Sequence, residues 1–161
     1  LYNFSFGSNM SSNRLLARLP NAKRVGTAIL KGYELTFDML FSDGSGKCSI
    51  QKTDKADALV YGVVYEVNTD EKLTLDAIEG PGYDCVDITV ELLNGQTIDT
   101  HCYIANTHDE DVLPYDWYVK HVHRGALEAG VPKAYSDAIL NRPQKSDPNK
   151  ERAAIEFAVH Q

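Results

Sequence analysis

The chain has 161 residues, with 16 Lys and Arg against 23 Asp and Glu and a formal charge of −7. A chain of this length buries about two-thirds of its extended surface on folding, enough for one core and too little for two independent ones. At 43% hydrophobic and 24% charged residues a wholly disordered chain is excluded, and the acid excess lacks the positive field that phosphate-backbone binding requires.

Tyr2 to Phe6 is a short apolar run that predicts an opening strand, broken by Gly7-Ser8-Asn9. Ser11 or Ser12 then caps a short helix through Leu19, which Pro20 stops. Val25 to Leu30 and Tyr33 to Leu40 read as strands on either side of Lys31-Gly32. In the second, Tyr33, Leu35, Phe37 and Met39 alternate with polar residues, the pattern of a strand with one wet face. Ser42 to Gly46 reads as a loop. Ala58 to Val67 is the strongest strand, apolar on both faces and therefore covered on both.

Thr69 is the expected cap of a helix from Asp70 to Ile78, with Leu73, Leu75 and Ile78 as its apolar edges. Glu79-Gly80-Pro81-Gly82-Tyr83 follows as a turn. Val86 to Leu93 and Thr97 to Ile104 flank Asn94-Gly95, a hairpin signal. Pro114 opens a helix from Tyr115 to Ala129 with Gly130 as its stop, and Trp117, Tyr118, Val122 and Leu127 as its packed face. Pro132 opens a shorter helix to Leu140. Asn141 to Asn149 is a polar linker before a tail helix from Lys150 to Val159. Strands thus fill the first two-thirds and helices the last third, which predicts an α+β fold with a mixed or largely antiparallel sheet, strongly curved or closed to protect its edges. Residues 1–140 form one domain in this reading, and 141–161 a linker and C-terminal helix packed on it.

No run nears the roughly 18 apolar residues of a membrane helix, and Leu1 to Phe6 is too short for a secretory signal. Cys48, Cys85 and Cys102 are an odd, widely spaced set without a CxxC pair, so reduced, buried thiols in a cytoplasmic protein are expected. No metal site is expected from them. His121 and His123 diverge by about 200° on a helix and so do not share a metal; they read as helix-surface or interface residues. Tyr2, Tyr61, Tyr65, Tyr83 and Tyr103 read as core or barrel lining, some with hydroxyls facing a polar pocket.

Two features carry chemistry. At Gly7-Ser8-Asn9 the chain turns closely from strand to helix, leaving N–H groups able to hold a carboxylate or phosphate; an ordinary strand-to-helix turn has the same pattern. It is neither a Walker loop nor a nucleophile elbow. Glu79 ends an apolar helical segment against a rigid turn, where a carboxylate aimed into a cavity would be partly desolvated and raised toward useful acid–base values; an exposed helix-end glutamate has that pattern too. Asp76 and Asp84 are near enough in sequence to pair with it.

Asn3-Phe4-Ser5-Phe6-Gly7-Ser8-Asn9-Met10 resembles the Tyr-Gly-Ser-Asn signature of the γ-glutamylcyclotransferase-like family, which includes γ-glutamylamine cyclotransferases and AIG2-like proteins. Further matches follow in order: Lys31-Gly32-Tyr33-x-Leu35-x-Phe37, Val60-Tyr61-Gly62-Val63-Val64-Tyr65, Leu75-Asp76-x-x-Glu79-Gly80 with Tyr83, Tyr103, Pro114-x-x-Trp117-Tyr118, Gly125-Ala126 and Gly130-Val131-Pro132-x-x-Tyr135. The resemblance implies a small twisted mixed β-barrel with flanking helices. It also implies conversion of a γ-glutamyl amino acid, peptide or amine into 5-oxoproline and the free amine, a cyclotransferase of the lyase class, without a cofactor. Glu79 matches the catalytic acid–base; Phe6, Gly7, Ser8, Asn9, Tyr83 and Tyr103 match substrate-binding positions. Phe6 departs from the usual tyrosine and lacks its hydroxyl. The implied partner is a small γ-glutamyl substrate, with no nucleic acid or membrane, in a monomer or homodimer. The leaving amine is expected against the loops near Ser42 to Asp57 and Asn106 to Asp116. The alternative is a non-catalytic small-metabolite-binding or protein-interaction module on the same fold.

Overall fold

The structure, a computed structural model, describes residues 1–160. Five strands close into a barrel in the order β1 (Tyr2–Ser5), β5 (Leu59–Glu66), β2 (Lys23–Lys31), β6 (Tyr83–Leu92) and β7 (Thr97–Ala105). Neighbours are antiparallel except at the seam, where β1 meets β7 in parallel through Asn3 and His101. That single parallel seam makes the barrel mixed and removes the free sheet edge. β6 and β7 form the hairpin expected around Asn94-Gly95, with Glu91 opposite Thr97.

Residues Val60, Val63, Val64 and Tyr65 of β5 are buried, as a strand apolar on both faces must be. β2 and β3 (Tyr33–Leu40) exist where expected but do not pair with each other. β3 pairs instead with β4 (Gly46–Lys52), in a separate two-stranded sheet. β4 had no forecast: only Cys48 and Ile50 in it are apolar, and both point inward, so its burial is set by what packs on it and not by its hydrophobicity.

Helix α1 (Ser12–Arg18) is capped by the Ser11 side chain, which accepts from the Arg14 N–H. Helix α2 (Thr69–Glu79) starts one residue earlier than forecast. Asn68 is the cap, in a reciprocal box with Glu71 that satisfies two otherwise free backbone donors. Of its forecast apolar edges only Leu75 is buried; Leu73 is 62% exposed and Ile78 39%.

Helix α3 (Asp116–Ala129) packs on the barrel. Apart from Val119, its buried residues fall in two rows at helical spacing, Trp117–His121–Gly125–Ala129 and Tyr118–Val122–Ala126. Leu127 lies off both rows and is half exposed, not packed as its apolarity suggested. Gly125 lets the segment Met10–Ser11 lie directly on the helix, since a Cβ there would stand 2.6 Å from both Met10 Cβ and the Ser11 nitrogen. α4 (Lys133–Leu140) follows, and α5 (Lys150–Ala158) returns to α3. None of the described helices is long and apolar enough to cross a membrane. Cys48 and Cys102 are buried free thiols, but Cys85 is exposed, because its strand turns that face outward.

Candidate active site

A cavity of about 280 Å³ opens where the end of β1, the turn after it, the end of α2 and the start of α3 converge. The residues that match the family's catalytic and substrate-binding positions line it: Phe6, Gly7, Ser8, Asn9, Glu79, Tyr83 and Tyr103. Their elements explain why. β1 runs into Gly7 and then a single 3-10 turn, Ser8–Met10, whose first N–H groups are not consumed by the turn itself. A Cβ at Gly7 would stand 2.9 Å from Cys48 Cβ, so glycine allows β4 to close up behind the loop. Phe6 is buried and packs near Phe4, with ring centroids 6.3 Å apart.

Glu79 is the last residue of α2, and Gly80, at φ 71°, turns the chain away immediately after it. Its carboxyl is pushed up from 4.5 to about 7: burial dominates, against the opposing pull of Arg18 and then Arg14. The group therefore changes charge near neutral pH, as a proton carrier must.

The tyrosines are held by their hydroxyls. Tyr83 donates to the Cys48 carbonyl at 2.8 Å, and Tyr118 accepts from the Cys48 N–H at 2.9 Å, so both clamp β4 to the cavity wall. Tyr103 donates to Asp76 Oδ1 at 2.5 Å. Burial, and then that hydrogen bond, raise the Tyr103 hydroxyl far above its ordinary value, so it stays a phenol. Asp76 also receives Lys72 at 3.0 and 3.1 Å. Burial would raise its carboxyl, but the Tyr103 hydroxyl and Lys72 outweigh it and hold it low. Asp76 is thus a fixed anion behind Tyr103 and not a proton partner for Glu79. Asp84 accepts from Asn106 on the exposed side and lies outside the lining.

Comparison with known proteins fits this geometry. The model of the AIG2-like family matches residues 59–139, half of the chain. Bovine γ-glutamylcyclotransferase is 30% identical over 154 residues, covering 89% of this chain and 79% of that protein. The chain belongs to the AIG2-like, γ-glutamylcyclotransferase family. The mouse γ-glutamylcyclotransferase is 28% identical over 160 residues, covering 94% and 81%. A solved γ-glutamyl cyclotransferase structure superposes with a TM-score of 0.88 over 98% of both chains at 23% identity, and so shares the fold.

Four cations of this family member reach the cavity that the sequence reading passed over: Arg14, Arg18, Lys47 and Arg152. The first two had a readable signal, because positions four apart on α1 share one face, and that face looks at the Gly-Ser-Asn loop. Arg14 Nε donates to Ser8 Oγ at 3.1 Å, and Arg18 reaches Asn9 Oδ1 at 3.4 Å. Lys47 sits over the rings of Tyr118, Trp117 and Phe41 at 4.3, 4.6 and 5.3 Å. Burial brings its ammonium down to about 8. Arg152 comes from α5, held by Asp147 at 2.6 and 2.9 Å. No local pattern marks Lys47 or Arg152, since distant segments bring them in.

The Ser42 to Asp57 segment does line the cavity, through Asp43, Lys47 and Cys48, but Asn106 to Asp116 contributes nothing to it. His121 is fully buried, not a surface residue. It accompanies Trp117 in a buried row of α3, and that spacing was the available clue. Among the described residues no group of three or more His, Cys, Asp and Glu is placed to hold a metal ion.

Proposed function

We propose that this protein converts a γ-glutamyl amide into 5-oxoproline and a free amine, with Glu79 as the proton carrier. The observation that carries the reading is a desolvated Glu79, poised near pH 7, lining the same cavity as the Gly7-Ser8-Asn9 turn. Family membership and the activity named for the bovine and mouse relatives support the class of reaction.

The chemistry follows from the parts. The α-ammonium of the γ-glutamyl group first gives up one proton to solvent, because only the free amine has a lone pair with which to attack. That amine carries a second proton, which must leave as the new bond forms. Glu79 as carboxylate accepts that proton while the nitrogen bonds to the γ-carbonyl carbon and closes a five-membered ring. The tetrahedral intermediate collapses by breaking the original C–N bond, and Glu79 returns the proton to the departing amine. Nucleophile and electrophile share one molecule, so holding it bent supplies much of the rate enhancement. The N–H groups of the turn and the Ser8 hydroxyl suit the substrate α-carboxylate, with Arg14 and Arg18 providing positive charge behind them. Because Tyr103 spends its proton on Asp76, its oxygen is left to accept from the α-amine. Phe6 contributes shape alone. The departing amine then faces Lys47, Phe41, Trp117 and Arg152.

The test is a panel of γ-glutamyl amino acids, γ-glutamyl dipeptides, glutathione and γ-glutamyl alkylamines, with 5-oxoproline release as the readout. Turnover of at least one member is expected. Binding without release across the panel would return the protein to a non-catalytic binding role.

A further inference from the structure

Helix α5 is separated from the Gly7-Ser8-Asn9 turn by most of the sequence, yet a continuous chain of polar groups joins them. His160 Nε2 lies 2.7 Å from His121 Nδ1, and His121 Nε2 lies 2.8 Å from Glu156 Oε2. Arg14 donates to the same Glu156 oxygen at 3.2 Å, and its Nε donates to Ser8 Oγ at 3.1 Å. Each donor and acceptor along the chain is fixed by chemistry. A carboxylate only accepts, so His121 turns its Nε2–H toward Glu156, and its bare Nδ1 accepts from His160. Burial keeps the His121 ring neutral, with its value lowered to about 4. Arginine only donates, so Ser8 Oγ must be the acceptor of Arg14 Nε–H.

The consequence falls on Ser8. Its oxygen already accepts from Arg14, and among the described residues its hydroxyl proton is donated to none. Ser8 lines the cavity, so that proton is free for an anionic group there. Without Arg14 held in place, the hydroxyl could turn and offer a lone pair instead.

We propose that Glu156 of the C-terminal helix is a positioning residue of the site, anchoring Arg14 so that Ser8 is committed as a hydrogen-bond donor to the substrate carboxylate. The inference rests on the cyclotransferase reading for the identity of that carboxylate, but the anchoring itself does not. It gives fully buried His121 a purpose, which is to hold the same Glu156 oxygen that Arg14 reaches.

The experiment compares the wild type with Glu156→Leu and Glu156→Gln, alone and combined with Ser8→Ala, using steady-state kinetics on the best substrate of the panel, Tm, and NMR of the Arg14 Nε–H. Loss of one positioned hydrogen bond corresponds to a rise in KM of about fivefold for Glu156→Leu with little change in kcat. Glu156→Gln keeps an acceptor oxygen and should recover most of that loss; it also carries the comparison if the leucine variant does not fold. The Arg14 Nε–H should exchange faster in Glu156→Leu, and faster to a smaller degree in Glu156→Gln. In the Ser8→Ala background the Glu156 substitutions should add nothing further to KM, because their effect travels through that hydroxyl. An unchanged KM, or effects of Glu156 and Ser8 that add in full, overturns the proposal. If the wild type turns over no γ-glutamyl compound, the cyclotransferase reading fails by itself. The Arg14 signal then decides the anchoring: unaltered exchange in both Glu156 variants refutes it, and faster exchange sustains it.

Discussion

Glu79→Gln separates two effects of one carboxylate. The substitution keeps size and removes the proton carrier, so 5-oxoproline release should fall by about 10²- to 10⁴-fold. It also removes a charge that the fold disfavours. In the folded protein the Glu79 carboxyl is raised from 4.5 to about 7, so its neutral form is preferred by roughly 3 kcal/mol relative to the unfolded chain. Water entering the cavity screens part of this, leaving about 1–2 kcal/mol. Below about pH 4.5 both states hold the proton and nothing is lost. As pH rises from there through about 7, the unfolded chain releases its proton first, and wild-type stability declines. Glu79→Gln has no such decline. It should therefore match the wild type near pH 4.5 and exceed it by about 1–2 kcal/mol at pH 8, as read from urea unfolding at both values. A variant that turns over substrate at near wild-type rate, or that is less stable than wild type at pH 8, would refute the assignment of Glu79 as a desolvated catalytic base.

Arg18 is the cation that most opposes the elevation of Glu79, so Arg18→Leu should move the rising limb of kcat/KM from about pH 7 to higher pH; a limb that stays or moves down contradicts the electrostatics. Lys47 lies in the cavity among three aromatic rings. Lys47→Ala should raise KM roughly tenfold for a γ-glutamyl amino acid, whose leaving amine carries a carboxylate, and far less for a γ-glutamyl alkylamine; equal losses would place Lys47 away from the leaving group. Gly125→Ala would drive a methyl group into the Met10–Ser11 backbone. It should cost about 1–3 kcal/mol, with Tm lowered by about 3–10 °C, and a normal Tm would show that the loop can yield.

The legible part of the fold follows from periodicity. Leu59 to Glu66 is apolar on both faces, and Asn94-Gly95 sits between two alternating segments, so β5 and the β6–β7 hairpin were readable without coordinates. β4 was not, because Gly46–Lys52 has two apolar side chains and is held by its pairing with β3 and by the Tyr83 and Tyr118 hydroxyls at the Cys48 backbone. Leu127 and His121 err in opposite directions for one reason. Polarity by residue type said one thing and position on α3 another, and position decided.

The opening acid excess hides a different local balance. The cavity gathers Arg14, Arg18, Lys47 and Arg152 against Asp43 and Glu79, with Glu156 and Asp147 pairing two of the arginines, so a chain of charge −7 lines its cavity with more cations than acids. The sequence alone determined every strand but β4 and all the longer helices, since these depend on local spacing and residue type. The pairing of the glycine turn with Glu79 came from the ordered resemblance to the family. Only tertiary structure decided which charges share the cavity and that Asp76 stands behind Tyr103 instead of beside Glu79. Only tertiary structure, too, showed that a helix at the far end of the chain is joined to Ser8 through Arg14. Desolvation and charge pairing depend on which distant segments meet, and no local pattern encodes that.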